Sequence, residues 1–84
     1  MLNISQCATL AKKYNVVDFD RHNPNKTIWF RGVKGYYIIV KEYPEFSVFT
    51  VWEDDDCDNI IDNIKIDSEE KFNECLKKYA LIAQ

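Results

Sequence analysis

The stretch from Thr27 to Glu53, TIWFRGVKGYYIIVKEYPEFSVFTVWE, constrains the chain most, because three runs of β-branched and aromatic residues are separated by two compact breaks. Runs from Thr27 to Arg31, Tyr36 to Lys41 and Phe46 to Trp52 suit a pleated, packed surface. Gly32-Val33-Lys34-Gly35 supplies the glycines a hairpin needs, and Pro44-Glu45 interrupts the second and third runs where no ladder donor is required. Two hairpins in series predict an antiparallel β-meander.

A two-residue first turn sets Arg31 opposite Tyr36 and Trp29 opposite Ile38. A three-residue second turn sets Ile38 opposite Thr50 and Tyr36 opposite Trp52. One face then carries Ile28, Phe30, Tyr37, Ile39, Phe49 and Val51. The other carries Trp29, Arg31, Tyr36, Ile38, Val40, Phe46, Val48, Thr50 and Trp52. An antiparallel sheet that faces water on one side alternates polar residues outward, and this one is apolar on both. Only two helices are available to cover it. If both pack on the first face, Trp29, Arg31, Tyr36 and Trp52 form a candidate partner-binding surface, made of the residue types that dominate binding hot spots. If one helix packs on each face, the same residues are core.

The first of those helices starts at Asn3, with Gln6 three residues on in the capping-box spacing, and places Ile4, Cys7, Ala8, Ala11 and Tyr14 on one face. Lys12 and Lys13 suit its C-terminal end, and Asn15 is a left-handed stop. Val16 to Asp20 alternates loosely as a short edge strand, followed by a polar loop, Arg21 to Lys26. Ile64-Lys65-Ile66 reads as a fourth strand. Asp67 then caps a final helix with Glu70 at the box position and an apolar stripe of Phe72, Cys75, Leu76, Tyr79 and Ala83. The fold class expected is α+β: a three- or four-stranded antiparallel meander flanked by an N-terminal and a C-terminal α-helix, with residues 1–84 forming a single α+β domain.

A chain of 84 residues buries about 60 to 65% of its unfolded surface, which leaves little room for an enclosed active-site cavity. No Gly-rich phosphate loop, Gly-x-Ser-x-Gly or histidine-based dyad is present, and the one histidine, His22, lies in the polar loop. The expectation is a protein that is not an enzyme and uses no cofactor. Cys7, Cys57 and Cys75 cannot all pair within the chain, and none stands in a Cys-x-x-Cys spacing, so neither a disulfide framework nor a zinc site is expected. The first residues lack the pattern of a secretory signal, and no apolar run reaches the roughly 18 residues a membrane span needs. A cytoplasmic protein is expected, in the host cytoplasm if a phage encodes it. The abundance of Asn, Ile, Lys and Asp is the bias of an AT-rich coding sequence and points to a low-GC bacterium, its phage or a mobile element.

Charge is divided unevenly along the chain. Residues 53–84 hold ten acids against four bases, and residues 1–52 hold four acids against seven bases. Asp54, Asp56 and Asp58 match the opening of an EF-hand loop, but Asn59 stands where glycine is wanted and Lys65 where a bidentate glutamate is wanted, so no metal site is expected. Two readings of the cluster remain. In one, Glu53, Asp54, Asp55, Asp56, Asp58 and Asp62, with Asp67, Glu69, Glu70 and Glu74, form an acidic ridge that engages a basic protein and competes for a site that holds phosphates. In the other, they are a solubilising loop and a solvated helix face.

Function is therefore expected to be protein binding. The concrete form is a phage or mobile-element inhibitor that blocks a nucleic-acid-binding host defence protein, of anti-CRISPR or anti-restriction type, through the acidic ridge. The alternatives are a nucleic-acid binder that uses the aromatic sheet face, which the acidic balance opposes, and a structural subunit or homodimer that buries that face.

Overall fold

A computed structural model describes residues 2–83. Helix α1 (Ile4–Lys13) is followed by strands β1 (Asp20–His22), β2 (Thr27–Arg31), β3 (Tyr37–Glu42), β4 (Ser47–Trp52) and β5 (Ile60–Ile66), and then by helix α2 (Glu69–Tyr79). The strands form one antiparallel sheet in sequence order. The α+β class is as expected, with five strands where three or four were read. Short β1 begins at Asp20, where the expected edge strand ended, and β5 begins four residues before Ile64.

Both helices start on side-chain caps. The Asn3 carboxamide accepts from Gln6 N (2.8 Å) and Gln6 Oε1 accepts from Asn3 N (2.9 Å), the reciprocal box the sequence predicts. Helix α1 ends at Tyr14, and Asn15 takes the left-handed conformation, φ 59°. Helix α2 is capped one residue later than expected, by Ser68 Oγ accepting from Lys71 N (3.2 Å) in place of Asp67. Glu69 and Glu70 in its first turn and Lys77 and Lys78 in its last favour its dipole.

Both helices lie on one face of the sheet. Ile4, Cys7, Ala8 and Ala11 of α1 and Phe72, Cys75, Leu76 and Tyr79 of α2 share one buried cluster with Ile28, Phe30, Ile38, Val40, Phe49, Val51 and Ile66. Phe49 is its hub, with edge-on contacts to Phe30 (6.1 Å between centroids) and Phe72 (6.0 Å).

The expected faces of β2 and β4 are correct, and that of β3 is reversed. Phe30 stands opposite Ile38, Arg31 opposite Tyr37, Ile38 opposite Val51 and Tyr37 opposite Trp52. The first turn holds three residues, Val33 to Gly35, between Gly32 and Tyr36, where Gly32 N donates to Tyr36 O (2.7 Å). Lys34 and Gly35 both take positive φ to close it. The second turn is Pro44-Glu45, closed by Tyr43 N donating to Phe46 O (2.8 Å). Each turn thus differs by one residue from the expected length, and a one-residue slip turns every side chain to the other face. Because β3 slips against both neighbours, β2 and β4 keep their relation. Ile38 and Val40 are buried, and Tyr37 and Ile39 face away from the helices.

After α2 the chain returns along the end of the sheet. Leu81 N donates to Arg31 O (3.0 Å), Val17 N to Leu81 O (3.0 Å) and Arg31 N to Val17 O (2.8 Å), so three segments distant in sequence are joined at one place. Among the described residues, no helix is long and apolar enough to cross a membrane.

Candidate protein-docking surface

With both helices on one side, the other side of the sheet is covered by neither. The register arranges its side chains in three rows across the strands. His22, Thr27, Lys41, Val48 and Lys65 form the first, Asp20, Trp29, Ile39, Thr50 and Asn63 the second, and Arg31, Tyr37, Trp52 and Ile60 the third. None of these residues belongs to the buried core. Trp29, Arg31 and Trp52 therefore lie where the sequence reading placed them. Tyr36 does not: it packs against the core beside Gly32, and Tyr37 holds its expected place.

Cations lie against aromatic rings across this surface. The Arg31 guanidinium is 5.6 Å from the Tyr37 ring centre, Lys41 Nζ 5.5 Å from that of Tyr43, and Lys65 Nζ 4.7 Å from that of Phe46. His22 stacks on Trp29 at 6.5 Å. Trp52 Nε1 is buried and has no acceptor among the described residues. A bulge between Val51 and Trp52 interrupts the β4–β5 ladder, and Ile60 and Ile61 stand 52% and 44% exposed beside it.

The acidic segment forms the β4–β5 tip, beyond the third row. Glu53 N donates to Asn59 O (2.8 Å), and Asn59 Nδ2 donates to Glu53 Oε2 (2.9 Å). Within the tip, Asp56 N donates to Asp54 Oδ1 (3.0 Å), and Cys57 turns the chain at φ 56°. Glu53, Asp54, Asp55, Asp56 and Asp58 are all exposed. Oxygens of Asp54, Asp55 and Asp56 lie within 4.8 Å of one another. This is a different trio from the alternating Asp54, Asp56 and Asp58 of the EF-hand comparison.

The ridge is shorter than expected. Asp62 sits in mid-strand opposite Val51 on the helix-covered side, where its carboxylate accepts from the Tyr79 hydroxyl (2.5 Å). That bond holds Asp62 below the usual carboxylate range and pushes the Tyr79 phenol up to about 12. Asp67, Glu69 and Glu70 lie past the far end of β5, about 20 Å along the strand from the tip. The tip and the aromatic surface, by contrast, are contiguous. Burial pushes the Tyr37 phenol up, and negative charge at Cys57, Asp20 and Asp55 adds to this against Arg31.

The three thiols are poorly suited to nucleophilic chemistry. Burial pushes Cys7 up to about 12 and raises Cys75. Cys57 is raised by burial and then by the carboxylates of Asp54, Asp55, Asp56 and Asp58. Against known protein families, characterised proteins and solved structures, nothing matches the chain.

Proposed function

We propose that the protein is a non-enzymatic binding module that docks its β4–β5 tip on a basic surface of another protein, occupying a site shaped for nucleic-acid phosphates. Its concrete form is a phage or mobile-element inhibitor of a host defence protein, of anti-CRISPR or anti-restriction type, acting in the cytoplasm. One observation carries this reading. Five exposed carboxylates are fastened into a short tip, and the two salt bridges among the described residues, Lys26–Glu42 and Arg31–Asp18, involve none of them. Such concentrated charge speeds encounter with a basic partner, which in turn relieves the repulsion within the tip.

The test is capture from a nuclease-treated lysate of a low-GC bacterium, comparing the wild type with a folded variant carrying Asn at Asp54, Asp55 and Asp56. The reading expects a nucleic-acid-handling protein held by the wild type, lost with the variant and released by an oligonucleotide. Capture that is unchanged in the variant, or absent with both, refutes it.

A second reading is favoured by Trp29, Tyr37 and Trp52 on an uncovered antiparallel sheet, the parts of a base-stacking platform. Its weakness is that Tyr37 and Trp52 stand beside the carboxylates that repel phosphates. Salt-dependent binding of a labelled single strand, lost in Trp29→Ala, would support it.

A further inference from the structure

Strand β5 is the longest of the five, and it lies at an edge of the sheet with only β4 beside it. The ladder fixes which of its backbone groups are free. Tyr43 N donates to Phe46 O, so the alternate pairs counted back from there, Lys41 with Val48 and Ile39 with Thr50, exchange bonds between β3 and β4. Ser47, Phe49 and Val51 are left to bond β5, through Ile66, Ile64 and Asp62. Asn63 and Lys65 therefore turn their N–H and C=O groups away from the sheet, and both residues are exposed. Among the described residues one of these four groups has a partner: Asn63 N donates to the adjacent Asp62 Oδ1 (2.8 Å), a local bond that an incoming carbonyl can replace. A bulge and the Lys65 charge are the only guards of this edge, and the run from Asp62 to Ile66 holds neither proline nor glycine.

A groove runs beside the edge, between β5 and α2. Ile64 and Cys75 line it, with Lys71, Glu74 and Lys78 of α2 along it. Charge varies along the edge. At one end stand Asp58 and the rest of the tip, and at the other Asp67, Glu69 and Glu70, all exposed. Between them Lys65, Lys71 and Lys78 alternate with Asp62 and Glu74, which leaves the middle close to neutral. The two ends therefore call for cations, and the middle, over Ile64, for an uncharged side chain.

We infer that the basic partner reaches this edge as an added β-strand, an extended segment with an uncharged, β-branched middle and lysine or arginine at both ends. Main-chain bonds to Asn63 and Lys65 hold it, and one apolar side chain enters the groove over Ile64. The inference rests on the reading of a basic partner given above, and it continues that interface from the tip along the strand that leaves it. A second copy of the chain does not fit. Pairing β5 with itself about a two-fold axis at Asn63 sets the tip of each copy against Asp67, Glu69 and Glu70 of the other, acid against acid.

The probe is the peptide Lys-Lys-Thr-Thr-Val-Thr-Thr-Lys-Lys, blocked at both ends, titrated into isotope-labelled protein and followed by NMR. Shifts are expected to centre on Asn63 and Lys65, with slower hydrogen exchange at both amides. Methylating the peptide nitrogens of its fourth and sixth residues, which face β5 when the valine meets Ile64, should weaken binding about tenfold or more. Methylating those of the third and seventh, on the opposite edge, should change it about twofold or less. Asn63→Pro, which the ladder tolerates because that N–H points away from β4, should weaken binding as the first pair does. No binding at about 1 mM peptide, or an equal response to both methylation patterns, overturns the inference. Protection of Asn63 and Lys65 that grows with protein concentration, without peptide, assigns the edge to a second copy and overturns it too. The tip reading is decided apart from this, by capture from lysate. A protein lost with Asn at Asp54, Asp55 and Asp56 but kept by Asn63→Pro leaves tip docking standing and removes the added strand.

Discussion

The Tyr79 hydroxyl donates to the Asp62 carboxylate at 2.5 Å, joining the last turn of α2 to the middle of β5. The bond lowers Asp62 and raises Tyr79 to about 12, so it makes stability depend on pH at both extremes. Asp62, with its folded value depressed, contributes above its unfolded value of 3.8 and loses that contribution as pH falls through the folded value. Tyr79, with its folded value raised, contributes fully below 10 and loses that contribution as pH rises toward 12. Tyr79→Phe should cost about 1 to 2 kcal/mol in urea unfolding at pH 7. The cost should shrink at both extremes of pH. A variant as stable as the wild type at pH 7 would show that the bond contributes nothing.

Glu42 joins β3 to the start of α1. Its Oε1 accepts from Ile4 N (2.8 Å), and its Oε2 lies 3.6 Å from Lys26 Nζ. Ile4 N is one of the amides that an α-helix leaves without an internal acceptor, and a carboxylate there also meets the positive end of the helix dipole. Glu42→Ala should cost about 1 to 2 kcal/mol in chemical denaturation, and Glu42→Gln, which keeps the acceptor, distinctly less. Equal losses from the two would assign the effect to packing.

The two glycines of the first turn separate two kinds of backbone demand. A Cβ on Gly32 would stand 2.9 Å from Tyr36 Cβ and 2.9 Å from Tyr79 O, where the sheet end meets the exit of α2. Gly35 has open space around it but takes φ 79°. Gly32→Ala should therefore cost about 2 kcal/mol or more, because backbone must move. Gly35→Ala should cost about 1 kcal/mol from strain, with Gly35→Asn tolerated better. Thermal melts of the three variants test the order, and a stable Gly32→Ala protein would contradict the close approach.

These cases show what was legible in the sequence and what was not. The helices were, because caps and apolar stripes are local: Asn3 with Gln6, and Phe72 with Leu76 and Tyr79. The surface residues Trp29, Arg31 and Trp52 were legible too, because the two turn-length errors cancel between β2 and β4. Tyr37 was missed in favour of Tyr36 because adjacent tyrosines carry no signal that chooses a face. Only the three-residue turn, closed by positive φ at Lys34 and Gly35, makes that choice. Asp62 was taken for part of the ridge because its partner, Tyr79, lies 17 residues away in sequence. The pairing of residues 80–82 with Val16 to Gly32 was unreadable for the same reason.

The thiols should differ sharply in reactivity. Cys7 is fully buried and Cys75 nearly so, whereas Cys57 lies part-exposed in the tip among carboxylates that disfavour its thiolate. Iodoacetamide at pH 8, read by mass spectrometry, should modify Cys57 alone, and more slowly than free cysteine. Asn at Asp55, Asp56 and Asp58 should quicken that reaction, and denaturant should open Cys7 and Cys75. Rapid native labelling of Cys7 would contradict its place in the core.

Those same substitutions measure the repulsion on which the docking proposal rests. Oxygens of Asp54, Asp55 and Asp56 lie within 4.8 Å of one another, well inside the screening length of about 10 Å at 0.1 M salt. The folded tip crowds these charges more closely than an unfolded chain would. The closing bonds of the tip, from Glu53 N to Asn59 O and from Asp56 N to Asp54 Oδ1, do not use Asp55 or Asp58 side chains. Removing charge there therefore leaves the turn intact. The variant with Asn at Asp55, Asp56 and Asp58 should melt higher than the wild type at about 10 mM salt, and the gap should narrow toward about 1 M. A variant that melts lower than the wild type at low salt would mean that the carboxylates are held by favourable contacts within the chain, leaving no repulsion for a basic partner to relieve.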